Sequence, residues 1–186
     1  MESVLAAILT KNYWVLVALV GLPGSGKSTI GRQLARRLNL SFFDSDLSIE
    51  QRIGCSIREY FEREGEPAFR AIEQDMVDEL TQCTGCVVST GGGVILNSGN
   101  REKLKRRCQT VYLHCPPEEI FRRLRHDQNR PLLQVANPLE KLKELYAVRD
   151  PLYRVAAHFV VQTGRPSIAM LVNLIVTQLD LSDTAL

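Results

Sequence analysis

Short apolar runs alternate with longer amphipathic segments along most of this chain. The runs have the length of buried strands. They lie at residues 13–20, 40–46, 86–89, 110–113 and 158–161. Because buried strands separated by helices form parallel sheets with helices on both faces, the pattern predicts one α/β domain over residues 1–186 with a five-stranded parallel sheet.

Between these runs, apolar residues recur at the three- and four-residue spacing of helices. Ile30, Leu34, Ala35 and Leu38 show this spacing directly after the first glycine-rich turn. We expect helices at residues 2–9, 27–38, 48–54, 56–64, 68–80, 100–107, 117–125, 139–148 and 168–179. Residues 65–67, Gly-Glu-Pro, separate two of them, and a proline suits the first position of a helix.

The first turn, residues 21–28, has the spacing of a phosphate-binding P-loop, G-x-x-x-x-G-K-S. Gly21, Gly24 and Gly26 let successive backbone N–H groups approach phosphate oxygens. Lys27 brings positive charge to the β- and γ-phosphates, and the Ser28 hydroxyl can bind Mg²⁺. The alternative is a chance match in an ordinary turn. The strand before the motif and the helix after it favour nucleotide binding instead.

Two aspartates, Asp44 and Asp46, stand at the carboxyl end of the second predicted strand. Ligands of open α/β sheets bind beyond this edge, and residues two apart on a strand share a face. Paired carboxylates beside a phosphate site suit metal binding and proton abstraction. The alternative is a helix cap, which explains one aspartate better than two.

Other polar and glycine-rich features have no obvious structural purpose. Arg70 lies near the start of a predicted helix, where a positive charge is unfavourable, and this position indicates a use other than helix stabilisation. The simpler interpretation is an arginine that is exposed to solvent. Gly91, Gly92 and Gly93 follow a buried strand, and there a binding turn is favoured over a loose linker. Residues 126–133 are either a plain connector or a lid over the phosphates.

Composition narrows the class of partner. The chain has 186 residues, of which 45% are hydrophobic and 24% are charged, as in an ordinary globular protein. Its net charge is only +2, so no strong positive electrostatic potential favours binding to nucleic acid or to an anionic membrane. The apolar N-terminal region is interrupted at residues 10–12 and leads directly into the P-loop, which argues against a membrane span or a signal peptide. We expect a cytoplasmic protein.

The five cysteines are scattered, and their odd number does not fit a disulfide framework. Cys83 and Cys86 form a C-x-x-C pair, so a zinc or redox site is conceivable. No second paired spacing accompanies it, and free thiols are the expectation.

Five segments occur in the order found in one kinase family. They are GLPGSGKST at 21–29, DSD at 44–46, FRAIE at 69–73, VVSTGGG at 87–93, and RPLL at 130–133 with RDPLY at 149–153. On these segments the chain resembles the shikimate kinases, within the nucleoside-monophosphate-kinase-like P-loop group. The resemblance covers roughly residues 15–179.

The resemblance implies both a fold and a reaction. The implied fold is a three-layer α/β/α domain with strand order 2-3-1-4-5, a helical substrate-binding region at about 48–80 and a lid at about 123–136. The implied reaction transfers the γ-phosphoryl group of ATP, with Mg²⁺, to the 3-hydroxyl of shikimate in the aromatic amino-acid pathway. A monomer is the expectation for this family.

The resemblance also implies roles for individual residues. The expected catalytic residues are Lys27, Asp46 and Arg130. The expected nucleotide-binding residues are Gly24, Ser25, Gly26, Lys27, Ser28, Thr29, Arg123, Arg130 and Arg165. The expected substrate-binding residues are Asp46, Arg70, Gly91, Gly92, Gly93 and Arg149, and the expected metal-binding residues are Ser28 and Asp44. Arg123 and Arg165 match positions that flank adenine, with Arg122 and Arg125 as alternatives to Arg123.

Two other functions remain open from the sequence alone. Another small-molecule P-loop kinase, such as a gluconate kinase, shares the P-loop but does not require the segments around Arg70 and Arg149. A degenerate domain that binds without catalysis should have lost Lys27, Asp46 or Arg130, and this chain keeps all three.

Overall fold

The computed structural model describes residues 15–125 and 135–184. Its five strands are β1 Leu16–Val20, β2 Ser41–Asp44, β3 Cys86–Ser89, β4 Gln109–His114 and β5 Phe159–Gln162. Its helices are α1 Lys27–Leu38, α2 Ser45–Ile53, α3 Ile57–Leu80, α4 Ser98–Arg107, α5 Pro117–Leu124, α6 Pro138–Ala156 and α7 Ile168–Thr184, with a 3₁₀ turn at Val94–Leu96. The predicted helix at 2–9 lies outside the described residues.

The strands form one parallel sheet in the order β2-β3-β1-β4-β5. β1 is central, and all five of its residues are buried. Successive strand side chains point to opposite faces, so Leu16, Ala18 and Val20 join one hydrophobic cluster while Val17 and Leu19 join another. The predicted fold class and strand order are confirmed.

Several predicted elements differ from the structure at their ends, and two of these differences bear on the site. The second strand stops at Asp44, and Asp46 lies in the first turn of α2 rather than on the strand. Asp44 caps α2, because its side chain accepts a hydrogen bond from the backbone N–H of Asp46 at 3.2 Å. The two carboxylates therefore do not share a strand face, and the cap interpretation holds for Asp44.

The helix predicted at 139–148 is longer, because α6 continues through Pro151 to Ala156. A proline inside a helix removes one backbone donor and so disfavours continuation of the helix. Tyr153 and Ala156 are fully buried, however, and their burial favours continuing the helix past Pro151.

The helices predicted at 56–64 and 68–80 are the two halves of α3. Gly65 separates them with a non-helical backbone, φ 83° and ψ 172°, which an L side chain rarely adopts. The kink lets one continuous segment line a cavity with both halves. No helix in residues 15–125 and 135–184 has the length and apolar character needed to cross a membrane.

Candidate active site

The P-loop connects β1 to α1 and bends around its own lysine. The Lys27 ammonium donates to the carbonyls of Gly21 at 2.8 Å and Leu22 at 3.0 Å, and the side chain is buried. Gly24 and Gly26 have φ angles of 84° and 99°, in the left-handed region that favours glycine. The predicted loop residues thus form a turn that holds a cation at the N-terminus of α1.

Close packing also requires a glycine in this loop. A methyl group on Gly24 would lie 2.6 Å from Cδ1 of Leu124, on α5. Ser25 is fully buried, and its hydroxyl is without a hydrogen-bond partner among the described residues. Thr29 lies in the first turn of α1 and is exposed. The loop therefore has a buried polar atom that a bound phosphate oxygen can satisfy.

Three oxygen atoms gather beside the loop, where β2 and β3 end. The Ser28 hydroxyl donates to Oδ2 of Asp44 at 2.7 Å and lies 3.3 Å from the hydroxyl of Ser89. Hard cations such as Mg²⁺ prefer oxygen ligands and complete their shell with water and substrate phosphates, so one or two protein groups suffice. In the described part of the chain no cluster of three or more His, Cys, Asp or Glu is placed to hold a metal ion. The donor set fits a phosphate-bound Mg²⁺ rather than a dedicated protein cage.

Asp46 lies next to this group, in the first turn of α2. Burial and, second to it, the negative charge of Asp44 raise the pKa of its carboxyl to about 6, while the charge of Lys27 opposes the rise. A methyl group on Gly91 would lie 2.5 Å from Oδ1 of Asp46, so the glycine turn packs directly on the carboxylate. Asp46 therefore has a pKa close to neutrality, as general bases require.

A cavity of about 500 Å³ opens beside the P-loop. Its polar residues are Asp46, Arg70, Glu73 and Arg149, and its wall includes the three glycines of the turn. The remaining lining is apolar and consists of Pro23, Ile57, Phe61, Phe69, Leu124 and Leu142. Such a mixture of an apolar wall and a few convergent polar groups is typical of small-molecule sites.

Arg70 projects from the second half of α3 and is held by two glutamates of the same helix. Its guanidinium donates to Glu73 at 2.7 Å and to Glu66 at 2.8 Å and 3.1 Å. Glu73 is only 3% exposed. Burial raises the pKa of Glu73, while the hydrogen bond from Arg70 and the charge of Arg149 partly offset that rise. The positive charge of Arg70 near the start of a helix is therefore explained, because the carboxylates of Glu66 and Glu73 pair with it at the cavity wall.

The glycine turn is fixed from two directions. The backbone N–H of Gly91 donates to the Ser45 hydroxyl at 2.9 Å. The carbonyl of Gly92 accepts from Arg149 at 3.3 Å and from the hydroxyl of Tyr153 at 2.6 Å. The turn therefore brings Arg149, which is distant in sequence, to the same cavity as Arg70.

Arg123 lies at the end of α5. Its guanidinium donates to the carbonyls of Thr163 and of Gly164, the latter at 3.2 Å, so it connects α5 to the loop after β5. Arg165 follows in that loop and is exposed. The two predicted adenine-flanking arginines therefore belong to one surface region. Arg130 and most of the predicted lid lie outside the described residues.

Glu73, Ser45 and Tyr153 are among the residues of this site that were not predicted. Glu73 is the last residue of the FRAIE segment, and its i,i+3 spacing from Arg70 was the available signal. Ser45 lies between the two aspartates, and its side chain accepts from Gly91. Tyr153 lies four residues after Arg149 on the same helix, a spacing that puts both on one face.

The sequence model of the family described as "Shikimate kinase" matches residues 23–180. A shikimate kinase of Paracidovorax citrulli is 57% identical over 169 residues, covering 89% of this chain and 92% of the relative. A shikimate kinase of Ralstonia nicotianae is 52% identical over 166 residues, covering 89% of this chain and 87% of the relative. The chain belongs to the shikimate kinase family. It is therefore an ATP-dependent phosphotransferase, as predicted.

Solved structures of shikimate kinases have the same fold. The shikimate kinase of Acinetobacter baumannii, in complex with shikimate, is 44% identical with a TM-score of 0.86 and covers 96% of this chain and 97% of its own. A gluconokinase of Sinorhizobium meliloti is only 17% identical, with a TM-score of 0.56, and the match covers 88% of this chain and 90% of the gluconokinase. The likeness to the gluconokinase extends to the fold alone, so the gluconate alternative receives no support beyond fold.

Proposed function

We propose that the chain transfers the γ-phosphoryl group of ATP to the 3-hydroxyl of shikimate, giving shikimate 3-phosphate and ADP. The observation that carries the proposal is the cavity beside the P-loop, which combines Arg70 and Arg149 with Asp46. Shikimate is a small ring with one carboxylate and several hydroxyls, so it needs cationic donors and an acceptor for the reacting hydroxyl.

The carboxylate of shikimate pairs with Arg70 and Arg149. Guanidinium groups present planar forks of donors that match carboxylates, and both arginines line the cavity. Glu66 and Glu73 already orient Arg70, which lowers the entropy lost when the substrate binds. Gly91, Gly92 and Gly93 supply backbone at the cavity wall, where a side chain would collide with Asp46, Pro23 or Arg70.

Asp46 accepts the proton of the attacking hydroxyl. Its pKa of about 6 keeps it ionised at neutral pH while leaving it basic enough to take a proton. The acceptor oxygen then forms a bond to the γ-phosphorus, the bond from that phosphorus to the β,γ-bridging oxygen breaks, and ADP leaves. Turnover should therefore fall as the pH drops below about 6.

The P-loop holds the phosphates of ATP. Gly24, Ser25, Gly26, Ser28 and Thr29 contribute backbone or hydroxyl groups, and Lys27 stabilises the charge that develops on the transferring group. Arg130 adds a second cation, and Arg123 and Arg165 flank the adenine. These assignments follow from the P-loop pattern and from the resemblance to shikimate kinases.

Ser28 and Asp44 would hold Mg²⁺, and the bound ion would neutralise negative charge on the β- and γ-phosphates. The short contact between the two side chains, 2.7 Å, supports this assignment because it brings a hydroxyl and a carboxylate oxygen together beside the P-loop.

The remaining assignments also follow from the resemblance. We propose a single kinase domain over residues 1–186, with a substrate-binding region at about 48–80 and a lid at about 123–136. The chain acts as a cytoplasmic monomer on ATP and shikimate, without nucleic-acid or membrane partners.

An ADP-release assay with a panel of acceptors tests the proposal. With ATP and Mg²⁺, shikimate should support ADP release, and gluconate should not. Arg70→Ala should abolish the response at shikimate concentrations that saturate the unaltered chain, because the carboxylate loses one of its two cations. Release with gluconate but not with shikimate would contradict the proposal.

A further inference from the structure

Tyr153 is a fully buried residue of α6 whose polar end reaches the glycine turn. Its hydroxyl donates to the carbonyl of Gly92 at 2.6 Å. Arg149, one helical turn earlier, donates to the same carbonyl at 3.3 Å. A carbonyl oxygen has two lone pairs, so both donors can bind it together. One backbone oxygen thus connects a cavity arginine to a buried tyrosine.

The Gly92 carbonyl controls the direction of a backbone donor. The peptide between Gly92 and Gly93 is trans and planar, so its C=O and N–H point to opposite sides. A carbonyl fixed on Tyr153 therefore fixes the N–H of Gly93 on the side away from Tyr153. On its other flank Gly92 packs against the P-loop, because a methyl group there would lie 2.8 Å from Cδ of Pro23.

The ring of Tyr153 is itself held in place. It stacks on Tyr112 of β4, with ring centroids 4.9 Å apart and an angle of 26° between the planes. The Tyr112 hydroxyl donates to Asp150 at 2.9 Å, and Asp150 also accepts from Arg154 at 2.8 Å. Burial raises the pKa of Tyr153, so its hydroxyl stays protonated and remains a donor.

We propose that Tyr153 is a positioning residue for the acceptor substrate. Its hydroxyl orients the Gly92–Gly93 peptide and, through the shared carbonyl, the guanidinium of Arg149. Tyr153 does not line the cavity and acts only through these two groups. The inference rests on the proposed function, since it assumes that the acceptor binds in the cavity that the turn and Arg149 line.

The substitution Tyr153→Phe tests this role, because it removes the hydroxyl and keeps the stacked ring. We expect the KM for shikimate to rise ~3- to 30-fold, the range for one lost hydrogen bond to a positioned group. The KM for ATP should stay within about twofold, because the P-loop does not depend on this bond. A residue with a purely structural role would instead lower the fraction of active protein and leave both KM values unchanged.

Tyr146→Phe is the matched control on the same helix. Its hydroxyl contacts Nε2 of His114 at 2.8 Å and not the glycine turn, so both KM values should match those of the unaltered chain. In combination with Arg149→Lys, Tyr153→Phe should have a smaller effect than alone, because both side chains act on one carbonyl. Fully additive effects would contradict the shared mechanism.

The outcomes separate the inference from the proposed function. If the unaltered chain shows no shikimate-dependent ADP release, the proposed function fails and the inference fails with it. If the unaltered chain is active and Tyr153→Phe keeps its shikimate KM, only the inference is overturned. If Tyr153→Phe is unfolded at the assay temperature, both KM values are measured at a lower temperature at which it folds, and an unchanged shikimate KM there overturns the inference.

Discussion

Replacing Asp46 by asparagine should stabilise the metal-free protein at neutral pH. The pKa of this carboxyl rises from 3.8 to about 6, first because the group is buried and then because Asp44 lies beside it. Each pKa unit corresponds to about 1.4 kcal/mol of differential stability, so the ionised carboxylate costs the folded state about 2–3 kcal/mol relative to the unfolded state.

The sign follows from which state releases its proton first. Below about pH 4 the carboxyl is protonated in both states and makes no contribution. Between about pH 4 and pH 6 the unfolded chain is ionised while the folded chain stays protonated, so the folded state loses stability as the pH rises, and above about pH 6 the loss is complete. Asparagine is isosteric with the protonated acid and carries none of this cost.

Urea denaturation followed by circular dichroism, in EDTA, measures the effect. The free energy of unfolding of Asp46→Asn should exceed that of the unaltered chain by about 2–3 kcal/mol at about pH 8, and the difference should vanish near pH 4. The carboxylate would then be an example of a site that favours function over stability.

Asp150→Asn is a control with the opposite sign. Burial opposes ionisation of Asp150, but hydrogen bonds from Arg154 and Tyr112 lower its pKa below the usual value. Its ionised form therefore stabilises the folded state, and Asp150→Asn should be less stable than the unaltered chain at about pH 8. If Asp46→Asn is no more stable than the unaltered chain at that pH, the claim that the ionised carboxylate of Asp46 destabilises the folded state is refuted.

Four further substitutions test the nucleotide and substrate sites. Lys27→Ala or Arg130→Ala should lower kcat by ~10²-fold or more, the scale for losing a preorganised charge, and near-normal turnover would rule out the assigned role. Gly24→Ala should weaken ATP binding by about tenfold or more, as measured by calorimetry, since a Cβ there meets Leu124 at 2.6 Å and the residue has a φ of 84°. Arg70→Lys should raise the shikimate KM by about tenfold with a smaller change in kcat, because a single ammonium cannot replace a bidentate fork, and an unchanged KM would argue against carboxylate binding there.

Much of the fold follows from local pattern. The bounds of α1 and β3 match those predicted. Gly26, in a left-handed backbone conformation, precedes the first residue of α1, and a continuous apolar run defines β3. The kink at Gly65 was visible for the same reason, since glycine and proline change the local backbone. These features depend on neighbours in sequence, which a single chain reveals.

Other features depend on contacts between distant residues and were missed. The continuation of α6 past Pro151 depends on the burial of Tyr153, which stacks on β4. The burial of Glu73 likewise depends on the packing of α3 into the core, although its bond to Arg70 is local to the helix. Asp46 was missed for a different reason, because its helical position follows from a local cap that Asp44 forms.

The most direct test of the proposed function compares shikimate with its neutral methyl ester. The account requires that Arg70 and Arg149 bind a carboxylate while Asp46 faces a hydroxyl. Mass spectrometry with ATP and Mg²⁺ should detect phosphorylated shikimate, and kcat/KM for the ester should be lower by ~10²-fold or more, as for the loss of a charge-assisted pair. Equal kcat/KM values for acid and ester, or no phosphorylated product from shikimate, would contradict the account.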